Sequence, residues 1–123
     1  MLAEGEQLIG DLISRKLREK GYYVVGVKNG EEVLDTIRQG GIDLVLIEAT
    51  LPILNGFDVL GEMRAREETK SIPSILIFDA GSPQEIKRAK DLGVRDWVVK
   101  TEFDPKDIVD KVTRCIGQSN ASA

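Results

Sequence analysis

Glu48 is the side chain best placed to do chemistry in this sequence. It closes the apolar run Leu44–Ile47 and precedes a Leu51-Pro52 turn, inside the segment IDLVLIEATLPILNGFDVL. An apolar run without alternation reads as a central parallel strand covered on both faces. Open α/β sheets place their chemistry in the crevice beyond the carboxyl ends of such strands. A carboxylate standing there can pair with a basic side chain or join other acids in holding a hard cation. Glu4, directly after the short apolar start Met1-Leu2-Ala3, is the other obvious acid at a strand end. The chain has no histidine, which removes most zinc sites and any phosphohistidine role, and its single cysteine, Cys115, excludes an intrachain disulfide. Neither a GxxxxGK nor a GxGxxG phosphate loop is present.

The elements that must position these residues follow from periodicity. Leu8, Ile9, Leu12, Ile13 and Leu17 fall at helical spacing, and Gly21 follows as a helix-ending glycine. Tyr22–Val27 reads as a strand. Asn29 can cap a helix that turns Val33, Leu34 and Ile37 inward and stops at Gly40-Gly41. A further helix is expected over about 57–66, with the charged run Arg64–Lys70 forming a solvated helix end and loop. Pro73 opens a strand over Ser74–Phe78, and Pro83 sits near the first turn of a helix ending before Gly93. Trp97–Val99 makes a last short strand. Asp104 caps a final helix that buries Ile108, Val109, Val112 and Cys115.

This alternation predicts an α/β fold, a doubly wound, five-stranded parallel sheet with right-handed crossovers. The first strand is truncated. Either the start lies upstream, or the strand is a stub that leaves backbone groups open to strand exchange or pairing between chains, giving a monomer or a homodimer. A length of 123 residues supports one domain, expected over 1–117, with 118–123 as a small, polar, disordered tail. Basic and acidic residues, 17 and 21, are interspersed, for a net charge of -4 and a pI near 4.9. That balance argues against nucleic-acid binding, which needs a concentrated basic surface. No long apolar run or leader pattern is present, so a cytoplasmic protein without membrane contact is expected.

The stretches LREKGYYVV, NGEEVL, DLVLIEATLPILNGFDVL, IPSILIF and DLGVRDWVVK, in this order and spacing from Leu2 to about Ile116, resemble the bacterial response-regulator receiver domains. The resemblance implies the flavodoxin-type strand order and a place in two-component signalling. It also implies a pocket, position by position. The phosphoacceptor aspartate of the family corresponds to Glu48. The acidic pair that helps hold Mg²⁺ corresponds to Glu4 and Gly5, and a metal-ligand carbonyl to Thr50. The hydroxyl residue at the end of the fourth strand corresponds to Phe78, with Asp79 beside it as a substitute pocket acid or a turn cap. The phosphate-pairing lysine is kept as Lys100, Thr101 stands where a proline is usual, and Trp97 fills the aromatic switch position.

Each departure has a physical consequence. Glutamate carries its carboxylate about 1 Å beyond the place arranged for in-line attack. Phe78 offers no hydrogen bond to a phosphoryl oxygen. Glu4, Glu48 and Thr50 make a vestigial metal site, so no cofactor is expected, although Mg²⁺ is conceivable. The resulting expectation is a non-enzymatic pseudo-receiver. It is fixed in one conformation by a Glu48–Lys100 pair and acts by contact with a signalling protein, a histidine kinase or a separate output protein. The alternatives are a conventional phosphoacceptor receiver using Mg²⁺ and a histidine-kinase donor, and a small-ligand-binding module of flavodoxin type.

Overall fold

The structure, a computed structural model, describes the backbone of residues 1–102 and 104–121 and the side chains through Ile116 except that of Phe103. Five strands, β1 (Leu2–Ala3), β2 (Gly26–Val27), β3 (Val45–Glu48), β4 (Ser74–Phe78) and β5 (Asp96–Val99), alternate with five helices. These are α1 (Gln7–Glu19), α2 (Gly30–Arg38), α3 (Gly56–Arg64), α4 (Pro83–Asp91) and α5 (Pro105–Ala121). The strands pair in parallel in the order β2-β1-β3-β4-β5. This is the doubly wound, flavodoxin-type sheet, in which the chain reverses direction between β1 and β3 and opens a crevice at their carboxyl ends.

Side chains of a strand alternate between its two faces, and here both faces are apolar. Leu44, Leu46, Ile75 and Ile77 pack with Ile13 and Leu17 of α1 and Ile108, Val109, Val112 and Cys115 of α5. Val45, Ile47, Leu76 and Phe78 pack with Val33 and Ile37 of α2, Leu60 and Met63 of α3, and Ala89 of α4. Two covered faces are why these strands show no polar alternation in the sequence.

Helices α2, α3 and α4 start at side-chain caps, whereas α1 has none. Asn29 accepts from the Glu32 N–H, Asn55 from the Asp58 N–H, and Ser82 forms a reciprocal capping box with Glu85. Asp104 accepts from the Lys106 N–H at 3.0 Å. Helix α5 continues through Ala121, into the stretch read as a tail, and Ser122 and Ala123 lie outside the described residues.

Two expectations are corrected. The strand expected over Tyr22–Val27 is reduced to Gly26–Val27, because β1, its one neighbour among the described residues, offers just Leu2 and Ala3 to pair with. Arg64 is half-buried and bonded to the fold instead of lying free on the surface. Its Nε donates to the Leu92 carbonyl (2.9 Å), its Nη1 to the Lys70 and Ile72 carbonyls (3.1 and 3.0 Å), and its Nη2 to Ser74 Oγ (2.7 Å). One planar guanidinium thus ties α3 to the start of β4 and the end of α4, a geometry that a point-charge ammonium cannot copy. Arg64→Met is expected to cost about 2–4 kcal/mol by leaving partly buried carbonyls without donors, and Arg64→Lys should recover less than half of that loss. Urea denaturation of both variants measures it.

Candidate functional site

The crevice at the strand tips is organised by one ammonium. Lys100 follows β5, and its Nζ lies 2.6 Å from Glu48 Oε1, 2.9 Å from Glu6 Oε1, 3.1 Å from Glu4 Oε1 and 3.5 Å from Asp79 Oδ1. Its side chain is only 8% exposed, that of Glu48 6%, and that of Glu4 is fully covered. An ammonium has three protons to donate. Glu48, Glu6 and Glu4 take them, and Asp79 is left at the longest distance.

The partners come from three strand tips, with Glu4 and Glu6 sharing the first. Glu4 follows β1, Glu48 ends β3 and Asp79 follows β4. Thr50 has its hydroxyl 3.1 Å from both Glu48 Oε1 and Asp79 Oδ2, and donates to one of them at a time. Gly5, where the resemblance expects a second acid, supplies a backbone N–H to Glu48 Oε2 at 3.0 Å. The turn that presents Glu48 depends on Gly56, whose hypothetical Cβ would collide with the Glu48 carbonyl oxygen.

Phe78 is fully buried in the core, its ring centroid 6.2 Å from that of Phe57. It contributes its carbonyl to the tip, accepting from the Lys100 N–H at 2.8 Å. Trp97 lies outside this cluster. It is paired in register with Leu76 and has Lys90 Nζ 5.5 Å above its ring.

Glu6 escaped the reading of the sequence. It stands just before α1 and is itself largely exposed, so neither burial pattern nor strand position marks it. The only signal was its spacing, an acid two residues beyond Glu4 at the same strand tip.

One positive charge among four carboxylates leaves an electrostatic surplus, which falls on Glu4. Burial pushes the Glu4 carboxyl up, to about 7 from an ordinary 4.5, and the neighbouring Glu48 carboxylate adds to the rise. Its Oε2 is buried without a hydrogen-bond partner. Burial acts against the charge of Glu48 too, but bonds from Glu4, Lys100 and the Gly5 N–H outweigh it and hold that group at about 2. For Lys100, burial is likewise outweighed by its bonds to Glu48, Glu6 and Glu4, so its pKa lies above the ordinary lysine value.

Glu4, Glu6 and Glu48 each present an oxygen within 4.8 Å of the others, a third acid beyond the two recognised in the sequence. Mg²⁺ requires about six oxygens near 2.1 Å in octahedral array. The carboxylate oxygens that converge here already lie within 3.1 Å of Lys100 Nζ, and an ion at equal reach of them would stand against the ammonium. In this arrangement those three oxygens serve the ammonium, and Glu4 Oε2 is buried without a partner among the described residues.

Residues 1–113 match the family model of the response regulator receiver domain. The chain belongs to that receiver family. It is 30% identical over 119 residues to the uncharacterized transcriptional regulatory protein YkoG of Bacillus subtilis (strain 168), covering 97% of this chain and 51% of that protein. It is 30% identical to the two-component response regulator ORR3 of Oryza sativa subsp. indica, covering 79% of this chain and 74% of the other. The chain spans about half the length of the first curated relatives it matches. A receiver domain protein from Methanospirillum hungatei JF-1 superposes with a TM-score of 0.90 at 18% identity, covering 99% of this chain and 95% of its own. The receiver domain of a Pseudomonas aeruginosa PAO1 sensor histidine kinase superposes with a TM-score of 0.84 at 25% identity over 94% of each chain. Among the described residues, no helix of this receiver is long and apolar enough to cross a membrane.

The coupled carboxyls give the receiver a specific pH response. Between pH 4.5 and about 7 the folded state keeps a Glu4 proton that the unfolded chain has released, so stability falls as pH rises through that window. Between pH 4.5 and about 2 the unfolded chain binds a proton at Glu48 that the fold rejects, so stability falls as pH drops. Glu4→Gln is expected to reduce the stability lost between pH 5 and pH 8 by about 2 kcal/mol. Denaturant midpoints at pH 5 and pH 8 check it, and an unchanged slope would refute the assignment.

Proposed function

We propose that this receiver works without a phosphoryl group and signals by protein contact from a conformation set by the Glu48–Lys100 pair. One observation carries the reading. The phosphoacceptor position holds a carboxylate already bound to the family's lysine at 2.6 Å, both side chains nearly enclosed. The carboxylate supplies one negative charge where a phosphoryl group would bring about -1.5 to -2. Phe78 reinforces the reading, since the fourth strand presents a buried ring where a hydroxyl would have to hold a phosphoryl oxygen.

A place in two-component signalling follows from the family, and the partner is an expectation of the same kind. The relatives include transcriptional regulators about twice the length of this chain and a receiver from a sensor histidine kinase. That kinase receiver is described with magnesium coordinated in its active-site cleft. For this chain we propose a signalling-protein partner, a histidine kinase or a separate output protein, and no catalytic turnover.

Incubation with Mg²⁺ and acetyl phosphate followed by intact mass measurement is expected to leave the mass unchanged. Gain of one phosphoryl group would transfer the chain to the conventional phosphoacceptor reading. Glu48→Gln removes the charge facing Lys100 and should cost about 2–4 kcal/mol. It should also shift amide resonances at the tips of β1, β3 and β5, and an unchanged spectrum would reject the conformational role of the pair.

A further inference from the structure

Asparagine followed by glycine occurs twice, at Asn29-Gly30 and Asn55-Gly56, and each pair opens a helix. The fold requires both residue types. Each asparagine caps its first turn, and a Cβ on either glycine would collide with a backbone carbonyl oxygen, that of Leu54 for Gly30 and that of Glu48 for Gly56. The same dipeptide is chemically labile. A glycine has no side chain to shield its backbone nitrogen, which can attack the amide carbon of the preceding asparagine when the two swing together.

The two pairs are held with unequal firmness. The Gly56 N–H donates to the Ala49 carbonyl at 2.9 Å and the Val59 N–H to the Asn55 carbonyl at 3.0 Å, in a helix start where Gly56, Phe57, Val59 and Leu60 are buried. The matching bonds at α2 are long. The Gly30 N–H lies 3.4 Å from the Pro52 carbonyl, and the Val33 N–H 3.3 Å from the Asn29 carbonyl. Both exceed the usual length of such bonds. Helix α2 also follows the short edge strand β2, whereas α3 follows the central strand β3. Elements with few buried contacts open locally at the lowest cost.

The caps themselves do not separate the sites. Asn29 Oδ1 accepts from the Glu32 N–H at 3.0 Å, its Nδ2 donates to Glu32 Oε1 at 2.9 Å, and Glu32 Oε2 accepts from the Lys28 N–H at 3.3 Å. Asn55 Oδ1 accepts from the Asp58 N–H at 3.0 Å. All of these bonds are exposed, so water competes for them. The grip on the glycine N–H is what differs.

We propose that Asn29 is a site of spontaneous covalent modification, deamidating through a succinimide while Asn55 stays protected. The Gly30 nitrogen loses its proton to water and bonds to Asn29 Cγ. The bond from Cγ to Nδ2 breaks, and that nitrogen leaves as ammonia. Water then opens the ring at one of its two carbonyls, giving an aspartate or an isoaspartate at position 29. One water is consumed, one ammonia is released, and nothing is oxidised or reduced. The aspartate still caps α2, but its carboxylate faces that of Glu32 where an amide had donated. The isoaspartate adds a methylene to the main chain directly before Gly30, where the approach to the Leu54 carbonyl has no room even for a Cβ. The loop after β3 must then move. The inference is independent of the state of the Lys100 cluster.

The test incubates the full chain at mildly alkaline pH, in buffer and in urea, and follows both positions by peptide mapping that separates isoaspartate from aspartate. Each rate in buffer is divided by the rate of the same residue in urea, which removes the influence of its sequence neighbours. That ratio should be at least about fivefold higher for Asn29 than for Asn55, the factor that one well-formed hydrogen bond is worth. Glu32→Ala, an exposed change, frees the Asn29 side chain and should raise its rate about threefold further, with Asn55 unchanged. Equal ratios, a higher ratio at Asn55, or an intact Asn29 in buffer after several lifetimes of the urea sample would overturn the proposal. So would equal acceleration of both positions by Glu32→Ala, since the opening would then be global.

Discussion

A nearly enclosed lysine ammonium surrounded by carboxylates from separate strand tips is the constraint on which the rest of the receiver depends. An ion removed from water must recover its lost solvation through close, well-directed partners, and Lys100 has three within 3.1 Å. Because those partners follow β1, end β3 and precede α1, the ammonium fixes the mutual height of the central strands as well as their charge. The cost appears at Glu4, a fully covered carboxyl with one oxygen unbonded and a raised affinity for a proton. Charge balance in the crevice is therefore met partly by a cation and partly by protonation.

The scaffold reaches this arrangement through close backbone approaches. Glycine at 56 lets the first turn of α3 sit on the backbone of Glu48, and glycine at 30 lets α2 press on the loop after β3. A side chain at either place would push the loop outward and change the angle at which Glu48 leaves the sheet. Glu48 and Leu54, at the two ends of the loop after β3, are thus each held by a close approach that only glycine permits.

Much of this was legible in the sequence because the relevant signals are local. Apolar runs, cap residues and helix-ending glycines placed nearly every element, and the strand-tip position of Glu48 marked the crevice. What escaped depends on distance in space. Glu6 is exposed and follows no burial pattern, and only the return of Lys100 from the far end of the sheet brings it into the cluster. Arg64 looked like part of a charged surface run, and only the folded loop before β4 supplies its three carbonyl partners. The shortness of β2 is dictated by its neighbour and not by its own residues, whose β-branched and aromatic character favours an extended strand. The left-handed backbone at Ile53 contradicts its residue type, so no local rule could have announced it.

Phe78 carries a consequence for what such a domain can do at this tip. Its ring fills the core between β4 and α3, and exchanging it for a threonine would open a cavity costing about 3–5 kcal/mol, against a typical total of about 5–15 kcal/mol for a folded domain. Restoring a hydroxyl at that tip would therefore threaten folding before it could serve any chemistry, unless neighbours such as Phe57 were rebuilt first. The aromatic side chain thus makes the chemistry available at this tip a matter of core stability, since a small polar residue could stand there only if the packing around it were rebuilt.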